Sequence, residues 1–368
     1  MSGLGQPRLV SKMVSTAESR VSRRGFMASA SLAALAGVVA CEQEGQEGQG
    51  ASAGAGRGGP LNSNSRLDTA LIRDPDAHRP QVMSIDEAAP YRSYDPALPA
   101  LSDQTTHAVH WRSMEVPVRI RPDLAMAAWC FEGDVPGPVL HVREGDTIEF
   151  TLTNEGNVPH SMDFHAAQID PHVAFRSVPK GESVTFTFQP RYAGAYMYHC
   201  GTGPVLMHIG AGMYGAIIVS PRDPLPAARE FVLVQSEYYV GEPENGVLPL
   251  DYQKMAAGTP DYVVFNGRPD QYMQNPITVQ RGDRVRFWVV SAGPSHQCSF
   301  HVVGEQFDNV WLGAPPDNPL RGVQTFAVPP GGGMVFDFMA DVPGNFPFVN
   351  HGFGHGQKGA IGILRVAE

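Results

Sequence analysis

The alternation of apolar and polar residues predicts β-strands through most of the chain after residue 105. Two clear examples are TIEFTLTNEG, which begins at Thr147, and RVRFWVVSAG, which begins at Arg284. Each follows a Gly-Asp pair, at Gly145 and at Gly282, and this order is typical of a turn before a strand. The same pattern recurs after 137 residues. It therefore predicts two similar halves, at about 106–221 and 226–368.

The two halves also end alike. A glycine five residues before His199 matches a glycine seven residues before His351, and the sequence Gly-Ala-Ile occurs at 215–217 and at 359–361. Any two β-sandwiches can share Gly-Asp turns, but matches at both ends in the same order favour a repeat. We predict an all-β protein built from two β-sandwiches of the same kind in tandem.

Composition agrees with this fold and excludes one class of partner. The 368 residues suffice for two domains of ordinary size plus extensions. The 40 glycines, the 32 prolines and a charged fraction of only 17% favour sandwiches with many turns over helical bundles. The net charge is −10, and the body of the chain has no basic cluster, which argues against nucleic acid as a partner.

The N-terminus is predicted to be an export signal outside the fold. Arg23-Arg24 resembles a twin-arginine motif, an apolar stretch too short to span a bilayer follows, and Val-Val-Ala-Cys41 resembles a lipoprotein cleavage box. The alternative is a simple secretory signal with an incidental cysteine. We expect residues 1–41 to be the signal, with lipid on Cys41. A disordered linker would follow over 42–65, and an irregular extension over 66–105. The predicted location is periplasmic or at the cell surface, anchored to the membrane by lipid alone.

The segment AYMYHCGTGPVLMHIGAGM, residues 195–213, carries the chemistry. Cys200, His208 and Met213 supply a thiolate, an imidazole and a thioether within one short loop. A mononuclear copper that transfers electrons takes these donors together with a second histidine, for which His160 is the candidate. Two of the other cysteines, Cys130 and Cys298, are expected to be buried thiols rather than a disulfide.

A second metal is suggested by side chains that point the other way. Neighbouring residues of a strand face opposite sides, so His199 should point away from the copper that Cys200 binds. The odd spacing between His160 and His165 places His165 with His199 by the same rule. A catalytic metal with an open position needs three protein ligands. The third should come from the second half, where His351 is the best candidate.

The motifs HSMDFHAA, YHCGTGPVLMHIGAGMYGAIIV, SFHVVGEQFDNVW and VNHGFGHGQKGAIG together resemble the copper-containing nitrite reductases, especially their lipid-anchored branch. The resemblance covers about 106–368 and implies two cupredoxin-like Greek-key sandwiches. It implies two coppers per subunit: a type 1 copper on His160, Cys200, His208 and Met213, and a type 2 copper on His165, His199 and His351. His351 would belong to the neighbouring subunit of a homotrimer.

The same resemblance implies an activity and its further residues. The reaction is the reduction of nitrite to nitric oxide, with electrons from a small cupredoxin or a c-type cytochrome. Asp163 and His301 match the proton-delivering pair of the family, and Val303 matches an apolar residue over the substrate. Asp163 could instead orient a ligand histidine, and His301 could be structural. His172 and His355 have no assigned role.

Two other functions remain open at this stage. A two-domain multicopper oxidase would reduce oxygen at a trinuclear cluster, but it commonly needs His-x-His pairs, and this chain has none. A pure electron carrier would need only the type 1 ligands and would leave the second site vacant. The number of coppers per subunit and a type 2 signal in electron paramagnetic resonance distinguish the three.

Overall fold

The computed structural model describes residues 83–368. The predicted signal with Cys41, the predicted linker and the first part of the predicted extension lie outside the described residues. From residue 83 to residue 105 the chain is irregular apart from one 3₁₀ turn at Ile85–Glu87 and a single bridge. The domain boundaries proposed from the sequence stay a prediction.

The first half is a sandwich of two sheets. Its strands are β1 (Thr106–Arg121), β2 (Leu124–Phe131), β3 (Leu140–Arg143), β4 (Thr147–Asn154), β5 (Asp163–Phe164), β6 (Ser183–Phe188), β7 (Gly194–His199) and β8 (Tyr214–Ser220). One sheet has the order β2-β1-β4-β6 and the other β3-β8-β7-β5. β1 lies beside β4 and pairs with it in parallel, so the order of the strands in this sheet differs from their order along the chain.

The second half repeats this architecture. Its strands are β9 (Arg229–Tyr238), β10 (Val247–Leu248), β11 (Tyr262–Phe265), β12 (Asn275–Gln280), β13 (Arg284–Gly293), β14 (Cys298–Val302), β15 (Asn309–Trp311), β16 (Thr325–Val328), β17 (Gly333–Met339), β18 (Gly344–Asn350) and β19 (Ile361–Ala367). The sheets have the orders β11-β9-β13-β17-β15 and β12-β19-β18-β14-β16, while β10 extends the first-half sheet beside β2. The predicted all-β fold with two cupredoxin-like sandwiches is confirmed.

The two Gly-Asp turns that suggested a repeat are the same at the level of single hydrogen bonds. Gly145 and Gly282 both have a positive φ, 81° and 86°, which glycine adopts without the steric cost of a side chain. The carboxylates of Asp146 and Asp283 each accept a hydrogen bond from the backbone N–H three residues earlier, at 2.8 and 2.9 Å. Each turn therefore leads its strand into the sandwich in the same way.

The three largest apolar clusters hold together the part of the fold that the structure describes. One fills the first sandwich, one fills the second, and the third lies where a sheet of each half packs against the other. β4 has the expected alternation of buried and exposed residues. In β13 both faces are buried, because Phe287 and Val289 belong to the second core while Trp288 and Val290 belong to the contact between the halves.

Five short helices connect the strands of the described part. They are α1 (Pro171–Ala174), α2 (Val205–Gly210), α3 (Tyr252–Ala257), α4 (Gln271–Gln274) and α5 (Phe353–Gly356). Within residues 83–368, no helix has the length and apolar character needed to cross a membrane. Helix α2 lies in the loop between β7 and β8, and helix α5 lies in the loop between β18 and β19. We call these two loops the closing loops of the two halves; both carry candidate ligands.

Candidate metal centres

The first cluster of metal-binding side chains consists of His160, Cys200 and His208 in the interior of the first half. Their ligand atoms all lie within 4.8 Å of one another. The Sγ atom of Cys200 is 3.1 Å from Nδ1 of His208, and the Nδ1 atoms of the two histidines are 3.3 Å apart. Met213 is completely buried beside them, and its carbonyl accepts a hydrogen bond from the N–H of Cys200.

The backbone brings these residues together from three elements. Cys200 directly follows β7, and α2 then carries His208. The N–H of Met213 donates to the carbonyl of His208 at 3.1 Å, which closes the loop. His160 lies on a separate segment, where two backbone hydrogen bonds with Val178 hold it, at 3.1 and 2.7 Å. The loop and the sandwich therefore each fix part of the site.

Burial sets the protonation states in this cluster. Removal from water lowers the pKa of His208 from 6.5 to about 4, so its ring is neutral at neutral pH. Burial alone would raise the pKa of Cys200, but the His160 ring and the N–H groups of Thr202 and Ser161 outweigh it and lower the pKa of the thiol. A neutral imidazole and a thiolate are the forms that bind a metal.

The donor set fits copper better than other metals. A thiolate and two imidazoles, with a thioether beside them, are the ligands of an electron-transferring copper. Nε2 of His160 is buried without a hydrogen bond, and its nearest partner is Glu115, whose Oε1 lies 3.5 Å away. The indole of Trp129 packs edge-on against the rings of His208 and His160, with centroids 4.8 and 5.7 Å apart. No sequence pattern indicated Glu115 or Trp129 as neighbours of the site.

The second cluster consists of Asp163, His165 and His199 at the surface of the first half. Nδ1 of His165 donates to the carbonyl of Gly331 at 2.8 Å, and Nδ1 of His199 donates to the carbonyl of Cys200 at 2.9 Å. In the neutral rings both Nε2 atoms therefore carry lone pairs, yet they face each other at 3.0 Å. Two lone pairs repel at this distance, so the arrangement is suited to a cation between them.

Asp163 joins this cluster without replacing either histidine. It pairs with His199 across β5 and β7, and its Oδ2 atom is 3.8 Å from Nε2 of His199. Burial lowers the pKa of His199, although the Cys200 carbonyl and Asp163 act in the opposite direction. The carboxylate stays partly open to solvent, with 31% of its side chain exposed, so a small ligand can reach it.

The two clusters are joined by a single peptide unit. Cys200 is fully buried in the first cluster, and His199, the residue before it, belongs to the second. The same separation applies to His160 and His165, although only Asp163–Phe164 between them forms a strand. The placement of all four side chains follows the alternation expected from the sequence.

His301 and His351 lie together in the second half and apart from both clusters. Their rings pack at 73° with centroids 5.3 Å apart, at the ends of neighbouring strands β14 and β18. Nδ1 of His301 donates to the carbonyl of Gln324 at 2.6 Å, which leaves Nε2 available. His351 is exposed and packs against Phe353 at 4.8 Å.

The remaining sequence candidates have clear positions. Val303 directly follows β14, two residues after His301, and is 42% exposed. His172 is exposed on α1, where its ring and its N–H both contact Asp170. Cys130 and Cys298 are buried free thiols, as expected, and burial raises the pKa of both.

Comparison with known proteins agrees with this chemistry. Sequence profiles of the multicopper oxidases match residues 107–224 and 246–368. A copper-containing nitrite reductase of Neisseria gonorrhoeae is 38% identical over 295 residues, which cover 73% of this chain and 74% of that protein. This chain belongs to the copper-containing nitrite reductases. Another family member, from Pseudomonas chlororaphis, is 30% identical over a match that covers 66% of this chain and 73% of that protein.

Solved structures give the same result for the fold. The copper nitrite reductase of Nitrosomonas europaea superposes with a TM-score of 0.67 at 35% identity and covers 72% of this chain and 94% of its own. A multicopper oxidase superposes with a TM-score of 0.64 at 25% identity and covers 80% and 97%. The nitrite reductase family therefore shares its architecture with oxidases, and the residues of the site must distinguish their activities.

Proposed function

We propose that this protein reduces nitrite to nitric oxide and water with one electron and two protons. One observation carries the proposal: the neighbouring residues His199 and Cys200 lie in two different clusters of metal ligands. An electron that enters at the buried cluster reaches the surface cluster through one cysteine side chain, one peptide unit and one imidazole. A protein with a single metal site would not need this link.

The proposed ligand sets follow from the two clusters. His160, Cys200, His208 and Met213 would hold a type 1 copper. His165 and His199 would hold a type 2 copper, for a total of two coppers per subunit. A copper held by these residues would supply Lewis acidity and an electron to nitrite. It needs a third protein ligand, because two imidazoles and an open position leave an incomplete site.

We propose that His351 of a neighbouring subunit is this third ligand, in a homotrimer. The surface on both sides supports the pairing. Leu312 and Tyr192, near His165, are 59% and 60% exposed, and Phe353, which contacts His351, is 56% exposed. A cavity of about 400 Å³ opens beside His165. Exposed apolar side chains around two incomplete half-sites are typical of surfaces that a subunit contact covers.

The two protons would come from residues on opposite sides of the shared site. Asp163 would hydrogen-bond to the bound nitrite and donate one proton, since its carboxylate lies beside His199. His301 of the neighbouring subunit would relay the other through Nε2, because its Nδ1 is fixed on the Gln324 carbonyl. Val303 would cover the substrate. Nitrite, one electron and two protons then give nitric oxide and water.

The cellular setting is also part of the proposal. The twin-arginine motif and Cys41 support an exported lipoprotein in the periplasm or at the cell surface. Its electrons would come from a small cupredoxin or a c-type cytochrome.

The activity is tested with copper-loaded protein, a chemical reductant and nitrite in the absence of oxygen. We expect nitric oxide to form in a one-to-one ratio with nitrite consumed. An oxidase would instead consume oxygen with a phenol or a metal ion as donor and would hold four coppers. A pure carrier would accept electrons, show no type 2 resonance and leave nitrite unchanged. Either result would contradict the proposal.

The shared site is tested by mixing subunits. His199→Ala and His351→Ala variants should each lose type 2 copper and activity while retaining the type 1 absorption. When the two are expressed together, about one quarter of the sites in randomly mixed trimers combine an intact His199 with an intact His351. We expect activity to return to about this fraction. A site within one subunit would give no recovery. His172→Ala, a surface histidine, is the control and should change nothing.

A further inference from the structure

In the second half an asparagine side chain makes the hydrogen bond that the Cys200 thiol makes in the first half. In the first half the N–H of Ser161 donates to Sγ of Cys200 at 3.3 Å. In the second half the N–H of Ser299 donates to Oδ1 of Asn350 at 3.2 Å. Cys200 directly follows β7, and Asn350 is the last residue of β18. Asn350 thus occupies the place that Cys200 has in the first half.

Two imidazoles lie near this position, on His296 and His355. Their places along the chain differ from those of His160 and His208, because Ser299 lies three residues after His296 while Ser161 directly follows His160. The rings of His296 and His355 are 4.7 Å apart, close to the 5.2 Å between His160 and His208. Nδ1 of His355 is 3.4 Å from Nδ2 of Asn350. We call Asn350, His296, His355 and Gln235 the amide pocket.

The amide of Asn350 at the centre of this pocket is held by hydrogen bonds to its neighbours. Nδ2 of Asn350 donates to Oε1 of Gln235 at 2.8 Å and to the carbonyl of Gln297 at 3.1 Å. Nε2 of His296 donates to the carbonyl of Gly258 at 2.7 Å. Asn350 and Gln235 are both fully buried. The side chain of Asn350 is therefore fixed from both of its amide atoms.

The bonds of Asn350 reach both histidines that we assign to the shared site. Its Oδ1 atom accepts from Ser299, two residues before His301, and from the N–H of Gly352 at 3.0 Å, directly after His351. The N–H of His351 donates to the carbonyl of Ser299 at 2.7 Å. One buried side chain therefore ties the strand of His301 to the loop of His351.

We propose that Asn350 is the positioning residue of the half-site formed by His351 and His301. Its hydrogen bonds fix the closing loop of the second half, so that the imidazole of His351 is held in one orientation. The inference rests on the proposed role of His351 as a type 2 ligand. Partners that orient a metal ligand in this way typically contribute tenfold or more to metal affinity.

The test measures type 2 copper affinity by titration of the full-length protein against a competing chelator, followed by electron paramagnetic resonance. Asn350→Ala should raise the type 2 dissociation constant about tenfold or more and change the type 2 hyperfine splitting, while the type 1 absorption stays as in the wild type. Asn345→Ala is the matched control. Asn345 lies on the same strand, is exposed and bonds only to Arg365, so its replacement should leave both coppers unchanged.

Loss of the type 1 absorption would show that Asn350→Ala does not fold. In that event a second variant tests the inference. Asn350→Asp keeps the two accepted hydrogen bonds but turns an oxygen toward the Gln235 and Gln297 carbonyls, so type 2 affinity should again fall. Wild-type affinity in the folded variants would overturn the inference. His351→Ala separates the two proposals: if it retains type 2 copper, the proposed shared site fails, whatever Asn350 does.

Discussion

The copper-free protein should lose stability in mildly acidic solution because His208 cannot take up a proton in the folded state. Burial lowers the pKa of His208 from 6.5 to about 4. Above about pH 7.5 the ring is neutral in both states and contributes no difference. As the pH falls toward 4, the unfolded chain binds a proton that the folded chain refuses, so the free energy of unfolding decreases. Linkage gives a loss of about 2 kcal/mol between about pH 7.5 and pH 5, and about 3 kcal/mol by about pH 4.

The assay is urea unfolding of the chelator-treated protein at several pH values, with His208→Gln for comparison. Glutamine has a similar size and no titratable group, so the variant should lack this part of the pH dependence. Other carboxylates and histidines titrate equally in both proteins, and the difference between them isolates His208. Parallel curves for the wild type and His208→Gln would refute the reasoning, since they would show that burial does not keep the ring neutral.

Three further predictions concern other parts of the molecule. Asp163→Asn should lower the rate of nitrite reduction about a hundredfold with unchanged type 1 absorption, because an amide cannot donate the proton. Gly267→Ala should lower the free energy of unfolding by about 3 kcal/mol or more, since a Cβ would lie 1.8 Å from a backbone oxygen. Gly181→Ala is the control: its φ is similarly positive but the space around it is open, so it should cost about 1–2 kcal/mol. Asp337→Asn should cost about 3 kcal/mol in thermal unfolding because it leaves Arg286 buried without its full counter-charge, with the two side chains 1% and 2% exposed.

The repeat was predictable from sequence because its turns depend on local chemistry. A glycine with positive φ and an aspartate that accepts from the backbone define each turn within four residues, and both can be read from the letters alone. The environment of β13 could not be predicted in this way. RVRFWVVSAG reads as an alternating strand, but its second face packs against the first half, and only the contact between the halves shows this.

The ligands of the buried cluster were predictable for a similar reason, since three of them lie within one loop of 14 residues, 200–213. Glu115 and Trp129 were not, because each reaches His160 from a strand more than 30 residues away, and nothing in the sequence around them marks a ligand. Gly331, whose carbonyl fixes the ring of His165, acts through its backbone. A contact through a backbone carbonyl does not depend on the type of side chain, so the sequence alone does not predict it.

The comparison of the two closing loops explains how one fold can hold two different kinds of centre. In both halves an acceptor at the end of the strand takes the N–H of a serine on the neighbouring segment. With Cys200 as the acceptor, two buried imidazoles lie beside the thiol, and the three ligand atoms could hold a metal. With Asn350, the amide accepts from the equivalent N–H and also donates to Gln235, and the next residue, His351, is exposed. Hydrogen bonds alone therefore hold this closing loop, and in the proposed trimer a second subunit would reach His351 at the surface.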